Sequence, residues 1–232
     1  MVVNLDIACF TLRDGELAVL VMRRAKAPYA GAWALPGGAI QQWEGLDEAA
    51  MRLLAERTGV TGVFLEQLYT FGEPLRDPRG RTVSVAYYAL LPRGPIDVRA
   101  GRETDAASWM PLTALPPLAF DHARIVEYGR SRLEQKITDT TLAFRALPAR
   151  FTIRDLRCVY EAVFGRSLDP GNFQRQMLAR RVLKPVSGVV DRRTPRPAQV
   201  YRYVGPLEIL GKPSDRPQKG RGKKARRGAR SR

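Results

Sequence analysis

The residues of this sequence that could do chemistry together are concentrated in residues 35–60. This stretch reads as a strand end, a turn at Gly37 and Gly38, a loop that contains Glu44, and a helix that carries Glu56. Carboxylates three and four residues apart on one helix face are oxygen ligands that suit magnesium. A Gly-Gly pair before a helix is usually only a turn, so the spacing of the other residues decides the interpretation.

The helix after this turn is predicted by its apolar spacing. Asp47 and Glu48 lie at its start, where negative charge suits the helix dipole, and Gly59 ends it. The apolar residues recur at the spacing of one helix face; they are Leu46, Ala49, Ala50, Leu53 and Leu54.

The whole stretch resembles the Nudix box, G-x5-E-x7-R-E-U-x-E-E-x-G-U with U aliphatic. The matching positions follow Leu-Pro-Gly-Gly; they are Gly38, Glu44, Arg52, Leu54, Glu56, Gly59 and Val60. The resemblance implies an α/β/α sandwich and a site for a diphosphate compound.

Two departures from the box concern the metal. In the family, three glutamates of the helix hold magnesium; here Leu53 and Arg57 stand at two of these positions and only Glu56 remains. An arginine would also repel the cation. We therefore predict no metal, no catalytic residue and no required cofactor, but a pocket that still binds a nucleotide.

The resemblance implies a nucleotide pocket, and we infer which residues contact the nucleotide. We expect glycines and glutamates of the box near its phosphates, arginines of residues 72–81 as phosphate partners, and an aromatic ring on its base. The expected effector-binding residues are Trp33, Gly37, Gly38, Glu44, Glu56, Tyr69, Arg76 and Arg81.

Two other assignments in this part of the chain have plainer alternatives. Arg76, Arg79 and Arg81 lie in a loop rich in proline and glycine, and are either solvated charges or phosphate contacts. His122 is the only histidine, and it is more often a packing or capping residue at a helix start than a general base.

Charge divides the chain into two parts with different partners. Residues 1–138 carry 16 Lys and Arg against 16 Asp and Glu, residues 139–210 carry 13 against 6, and residues 211–232 carry 10 against 1. A neutral first part and a basic second part indicate that the second faces a polyanion. We therefore place domain boundaries at 1–138, which the Nudix resemblance implies is an effector-sensing domain, and at 139–210, a basic domain that we expect to bind DNA. Residues 211–232 are predicted to form a disordered basic tail.

Composition excludes several classes. No stretch approaches 18 apolar residues, and no secretory signal precedes the first strand. Cys9 and Cys158 lie in apolar segments and are predicted to be buried thiols. We expect a cytoplasmic protein without a membrane partner.

The elements that position the box are mostly strands. Period-two patterns and turn residues predict strands at 2–12, 17–23, 64–71, 82–91 and 108–110, a strand end at 34–35, and a long helix at 118–137.

Beyond residue 139 the pattern predicts a winged helix-turn-helix. Thr152 is a helix N-cap before a helix at 153–164 that Gly165 ends, and Pro170 begins a second helix that runs to about residue 181. Phe173, Met177 and Leu178 should point inward. Strands at 182–190 and 199–204 would flank a basic wing at 191–198.

This unit has the chemistry of a DNA reader. Amides and guanidinium groups on an exposed helix reach base edges, and wing arginines neutralise phosphates. The expected DNA-binding residues are Thr152, Asn172, Gln174, Arg175, Arg180, Arg181, Arg192, Arg193, Arg196 and Gln199. The plainer alternative is a basic docking domain with a solvated helix face.

Residues 3–204 as a whole resemble the Nudix-related transcriptional regulators of NAD metabolism. The segments that carry the resemblance are WALPGG at 33–38, LYTFGEPLRDPRGRTVSVA at 68–86, LAFDH at 118–122, residues 151–173 and RPAQVY at 196–201. The resemblance implies a homodimer that binds double-stranded operator DNA, represses genes of NAD or sugar metabolism, and responds to ADP-ribose or a related nucleotide. Two alternatives stay open: an active ADP-ribose pyrophosphatase with an accessory basic domain, and an RNA-associated adaptor.

Overall fold

A computed structural model describes residues 1–92, 98–101, 103–139, 142–193 and 197–205. The tail predicted at 211–232 and Arg196 of the wing lie outside these residues. Within the described ranges, no helix combines the length and apolarity that a membrane span requires.

Seven strands form a mixed sheet in the first part of the chain. They are β1 (Val2–Arg13), β2 (Glu16–Arg24), β3 (Trp33–Ala34), β4 (Gly37–Ala39), β5 (Glu66–Phe71), β6 (Thr82–Leu90) and β7 (Thr104–Pro111). The order across the sheet is β3-β2-β1-β6-β5, with β4 paired to β1 and β7 paired to β2. β1 and β6 are parallel, while β1 and β2 form an antiparallel hairpin.

Helices cover both faces of this sheet. Leu5, Ile7 and Cys9 of β1 pack in one hydrophobic cluster with α1 (Leu46–Thr58), whereas Ala8 and Phe10 pack in a second cluster with α2 (His122–Asp139). The alternation follows from the period-two geometry of a strand. The predicted α/β/α sandwich is the observed architecture.

The long helix begins four residues later than the sequence pattern predicts. Leu118 instead pairs with Trp33 as an isolated bridge, and the Ala119 N–H donates to the Trp33 carbonyl at 2.8 Å. Phe120 then adopts a positive φ of 55°, which a helix does not tolerate. His122 is consequently the first residue of α2 rather than part of its second turn.

The second part of the chain has the predicted winged-helix order. Its elements are α3 (Leu142–Arg145), β8 (Phe151–Thr152), α4 (Ile153–Phe164), α5 (Pro170–Ala179), β9 (Leu183–Asp191) and β10 (Ala198–Tyr203). The three strands form a sheet of order β8-β10-β9. The elements α3 and β8 were not predicted. Leu178 was predicted to point inward, but it is exposed because the buried face of α5 is formed by Phe173 and Met177.

The two parts of the chain share a hydrophobic core. Leu156, Val159 and Val163 of α4 belong to the same buried cluster as Ile125 and Leu133 of α2. α4 contacts both α2 and β2, so the winged helix is packed directly against the sandwich.

Candidate functional site

A strongly charged cavity opens beside β4 and has a volume of about 610 Å³. Gly37 and Gly38 form one of its walls. Six cationic side chains line it against three carboxylates; they are Arg24, Lys26, Arg57, Arg76, Arg79 and Arg81 against Asp6, Asp77 and Glu103. This excess of positive charge suits an anionic ligand.

The two glycines are required by the close crossing of β4 over β1 and α1. A Cβ at Gly37 would lie 2.3 Å from the Leu5 carbonyl oxygen, and one at Gly38 would lie 2.9 Å from Leu53 Cδ2. The structure therefore places both predicted glycines in the cavity wall, and a side chain at Gly37 would clash with backbone.

The floor of the cavity is a buried ionic network centred on Asp6. The Arg76 guanidinium donates to Asp6 at 3.1 Å and to Asp121 at 2.6 Å, and the Ser84 hydroxyl donates to Asp6 at 2.5 Å. Burial alone would raise the pKa of Asp6, but His122, Ser84 and Arg76 hold it well below its usual range.

Arg76 was predicted to contact a phosphate of the nucleotide. Its guanidinium is instead engaged by carboxylates of the protein, which argues against that contact. Its side chain is 3% exposed and two carboxylates already neutralise it. Arg76 instead fixes its loop against the sheet. Arg81 does line the cavity, with Nη1 donating to the Gly72 carbonyl.

His122 is the packing residue that the plainer interpretation predicts. The Leu35 N–H donates to its Nδ1 at 2.9 Å, while its Nε2 lies 3.3 Å from Asp6 Oδ1. These contacts place the ring hydrogen on Nε2, and they join the start of α2 to β1 and to the segment between β3 and β4.

Glu44 and Glu56 were predicted to lie near the phosphates of the nucleotide, but neither lines the cavity. Arg52 binds both: Nε donates to Glu44 at 2.8 Å and Nη1 donates to Glu56 at 3.2 Å. The hydrogen bonds from Arg52 lower the pKa of Glu44. The spacing of four and eight residues from Arg52 lets one guanidinium neutralise both carboxylates.

The aromatic residues predicted to stack on a base also lie elsewhere. Trp33 packs against the hydrophobic core, and Tyr69 stacks on Tyr128 with ring centroids 5.1 Å apart. Phe120, which the sequence interpretation missed, lines the cavity instead. The guanidinium carbon of Arg24 lies 4.9 Å from the centre of its ring.

The box residues present do not fit a magnesium site. Leu53 is 2% exposed and offers no oxygen, and Arg57 brings a positive charge that pairs with Glu103 at 3.0 Å. Glu56 is held by Arg52. Magnesium prefers several oxygen ligands around it, and this helix face supplies too few.

The second candidate surface is α5 of the winged helix. Asp169 caps the helix by accepting from the Asn172 N–H at 2.7 Å, and Pro170 follows at the first position. Asn172, Gln174 and Arg175 are all exposed, as predicted, and Arg175 donates to the Asn172 side chain at 3.2 Å.

Three other predicted DNA contacts are engaged within the protein. Thr152 is 3% exposed, and its hydroxyl accepts from the Asp155 N–H at 3.1 Å in a capping box. Gln199 donates its amide to the Val186 and Val200 carbonyls at 3.2 and 2.8 Å. The contacts of Thr152 and Gln199 stabilise the fold; Thr152 is buried, whereas Gln199 is exposed, and their assignment to DNA stays a prediction.

Arg193 is the third predicted DNA contact that is engaged within the protein. It donates to Asp155 at 2.7 Å and also binds Asp191, and these two carboxylates raise its pKa. Arg193 thus ties the wing to the first turn of α4. Arg192 beside it is exposed.

The end of α5 and the wing sheet carry further exposed cations. Arg181 is exposed, and Arg180 donates to the Thr138 carbonyl at 2.9 Å. Lys184 of β9 faces Arg202 of β10 directly, and both are exposed. Like charges directly opposite each other destabilise a sheet, so this pair is consistent with an anionic partner. The sequence alone does not show that Lys184 and Arg202 are neighbours, because their pairing depends on the register of β9 and β10.

Comparison with known proteins gives a family match for each of the two parts of the chain. The NUDIX domain matches residues 4–128, and the NrtR DNA-binding winged helix domain matches residues 143–203. The ADPR responsive transcriptional repressor NtrR of Acinetobacter baylyi is 34% identical over 211 residues, covering 87% of this chain and 81% of that protein.

Solved structures give the same result. Shewanella oneidensis NrtR complexed with a 27mer DNA superimposes with a TM-score of 0.73 and 32% identity, over 88% of this chain and 94% of the other. The NUDIX domain of the same protein, complexed with ADP ribose, gives a TM-score of 0.54 and 37% identity, over 57% of this chain and 88% of the other. The chain therefore belongs to the NrtR family, in which a NUDIX domain is followed by an NrtR DNA-binding winged helix domain.

Proposed function

We propose that this protein is a transcriptional repressor that binds operator DNA through its winged helix and releases it when ADP-ribose, or a related nucleotide, enters the cavity beside β4. The observation that carries the proposal is that a cationic cavity and an exposed polar helix belong to two domains that share one hydrophobic core. The cavity presents glycine backbone and cations to an anionic ligand, and α5 presents Gln174 and Arg175 to solvent.

Relatives support each half of the proposal. The similar Acinetobacter protein is called ADPR responsive, and the similar Shewanella protein has been crystallised with DNA and, as its NUDIX domain, with ADP ribose. The protein acts in the cytoplasm as a homodimer whose two α5 helices enter successive major grooves. Its target genes belong to NAD or sugar metabolism.

The nucleotide is sensed and not hydrolysed. Leu53 and Arg57 replace two metal ligands of the box, and Arg52 neutralises Glu44 and Glu56. These contacts disfavour the pyrophosphatase alternative, which needs oxygen ligands for magnesium. No cofactor is required.

Footprinting across the protein's own genomic neighbourhood, with and without ADP-ribose, tests the proposal. We expect protection of a site with two half-sites one helical turn apart, or a multiple of it, and loss of that protection when ADP-ribose is added. Protection that no nucleotide changes would retain the DNA-binding role and reject the sensor role. The ligand can act only through the difference in its affinity for the DNA-bound and free states.

A further inference from the structure

Arg57 occupies the cavity at the position where the box resemblance expects a metal ligand. It lies in the last turn of α1, and its side chain is 15% exposed. Its Nη2 is 3.5 Å from the point that a Cβ on Gly38 would occupy. The guanidinium therefore reaches the glycine wall of the cavity.

A carboxylate already marks an anion position next to Arg57. Glu103 Oε2 lies 3.0 Å from Arg57 Nη1, and Glu103 Oε1 lies 3.1 Å from Lys26 Nζ. The hydrogen bonds from Lys26 and Arg57 lower the pKa of Glu103. Because the Glu103 side chain is 50% exposed, it has room to turn into solvent.

The cations on this side of the cavity repel one another. Burial and the charges of Arg79 and Arg57 lower the pKa of Arg24. Arg24 and Arg79 both lie over the Phe120 ring, at 4.9 and 5.7 Å from its centre. A bound anion would relieve this crowding.

We propose that Arg57 takes the place of the divalent cation and binds the diphosphate of the effector directly, with Glu103 as the counter-ion that the diphosphate displaces. Effector binding then needs no metal. This inference rests on the proposed function, since it assumes that the cavity holds a nucleotide with a diphosphate.

The chemistry of the guanidinium suits this exchange. Its planar fork can donate two parallel hydrogen bonds to phosphate oxygens. A bound magnesium at the same place would be repelled by the same charge. The substitution that abolishes the metal site therefore supplies the positive charge that the metal would have supplied.

Calorimetry of ADP-ribose binding to the full chain tests the inference. Wild-type protein should bind with the same affinity in EDTA and in excess magnesium. Arg57→Ala should weaken binding by about 10- to 100-fold, the range expected for one charge-assisted hydrogen bond. Glu103→Gln should tighten binding, because the competing carboxylate is gone. Arg13→Ala is the matched control, since it removes an exposed arginine at the end of β1.

Further variants and controls distinguish failure of this inference from unfolding of the variant and from failure of the proposed function. Arg57→Lys retains the charge without the fork, so its affinity should lie between those of wild type and Arg57→Ala. Thermal unfolding confirms that each variant is folded. Wild-type binding that requires magnesium, or Arg57→Ala binding with wild-type affinity, overturns the inference and leaves the sensor role intact. Wild-type protein that binds ADP-ribose in neither buffer overturns both.

Discussion

The carboxylate of Asp6 and the guanidinium of Arg76 form an ion pair of 3.1 Å beneath the cavity, although the two residues are 70 positions apart in the sequence. Both side chains are nearly inaccessible, with 9% and 3% exposed. The pair fixes the loop between β5 and β6 to β1. It also joins the cavity floor to Asp121, the residue before α2.

Asp6→Asn should destabilise the protein at neutral pH by about 3 kcal/mol, because it leaves a buried arginine short of one carboxylate. The pKa of Asp6 is lowered in the folded state, so its contribution is present above about pH 4 and is lost as the pH falls below that value. The difference in unfolding free energy between wild type and variant should therefore shrink from pH 7 to pH 3. Urea unfolding across this range measures it.

The matched control for that prediction is Asp14→Asn in the exposed turn between β1 and β2. Asp14 has a positive φ of 50°, which asparagine also tolerates. The control should unfold like wild type at every pH. If the difference in unfolding free energy between wild type and Asp6→Asn stays constant down to pH 3, Asp6 is not the titrating group.

Purified protein should release no AMP from ADP-ribose with magnesium or manganese beyond the level of a metal-free reaction. The physical reason is the loss of oxygen ligands at Leu53 and Arg57 and the engagement of Glu56 by Arg52. Chromatography of the nucleotides over a long incubation measures it. Glu56→Gln is the control and should give the same trace; AMP release that vanishes in this variant would establish a hydrolase.

The recognition helix and the tail should contribute different kinds of DNA affinity. Arg175→Ala should reduce the preference for operator over random DNA, since a bidentate contact to guanine contributes about 1–3 kcal/mol of discrimination. Deletion of residues 211–232 should flatten the slope of log affinity against log salt and leave the preferred sequence unchanged. Both variants are titrated with DNA across a salt series. Loss of sequence preference in the deletion, with Arg175→Ala unaffected, would refute the assignment of α5.

Substitutions of Thr152, which caps α4, and of Arg192, which follows β9, should have opposite effects. Thr152→Ala removes the cap of α4 and should cost about 1 kcal/mol of folding stability, while the preferred DNA sequence stays the same. Arg192→Ala should leave stability unchanged and weaken DNA binding with a smaller salt slope, because Arg192 is exposed. Urea unfolding and DNA titration of both variants test the pair. A Thr152→Ala protein of wild-type stability that binds operator DNA more weakly would contradict this prediction and support a DNA contact at Thr152.

Local patterns in the sequence predicted most of the fold. The helix at 153–164 has the predicted bounds because Thr152 caps it and Gly165 ends it in a left-handed conformation, and both signals are local. The two-sided core of β1 follows from alternation along a single strand. The start of α2 was missed because Leu118 pairs with Trp33, a contact between residues far apart in sequence.

The site was predicted less well, for a related reason. The sequence shows which side chains are charged, but it does not show which opposite charge folds beside each one. Arg76 and Arg193 were expected to meet phosphate, and each is neutralised by two carboxylates of the protein itself. Arg57 was interpreted only as a lost metal ligand, because its distance from Gly38 depends on how β4 crosses α1.

The hydrophobic cluster that runs from the sheet into the winged helix limits how this protein can evolve. Val163 of α4 faces the same groove as Leu17 of β2 and Val126 of α2. A larger or smaller side chain at one of these positions must be matched at the others to keep the packing density of a protein interior. A winged helix transplanted from a relative would bring a mismatched surface to the sandwich. Exchange of the winged helix alone should therefore destabilise the protein, whereas substitutions on the exposed face of α5 should leave this packing unchanged.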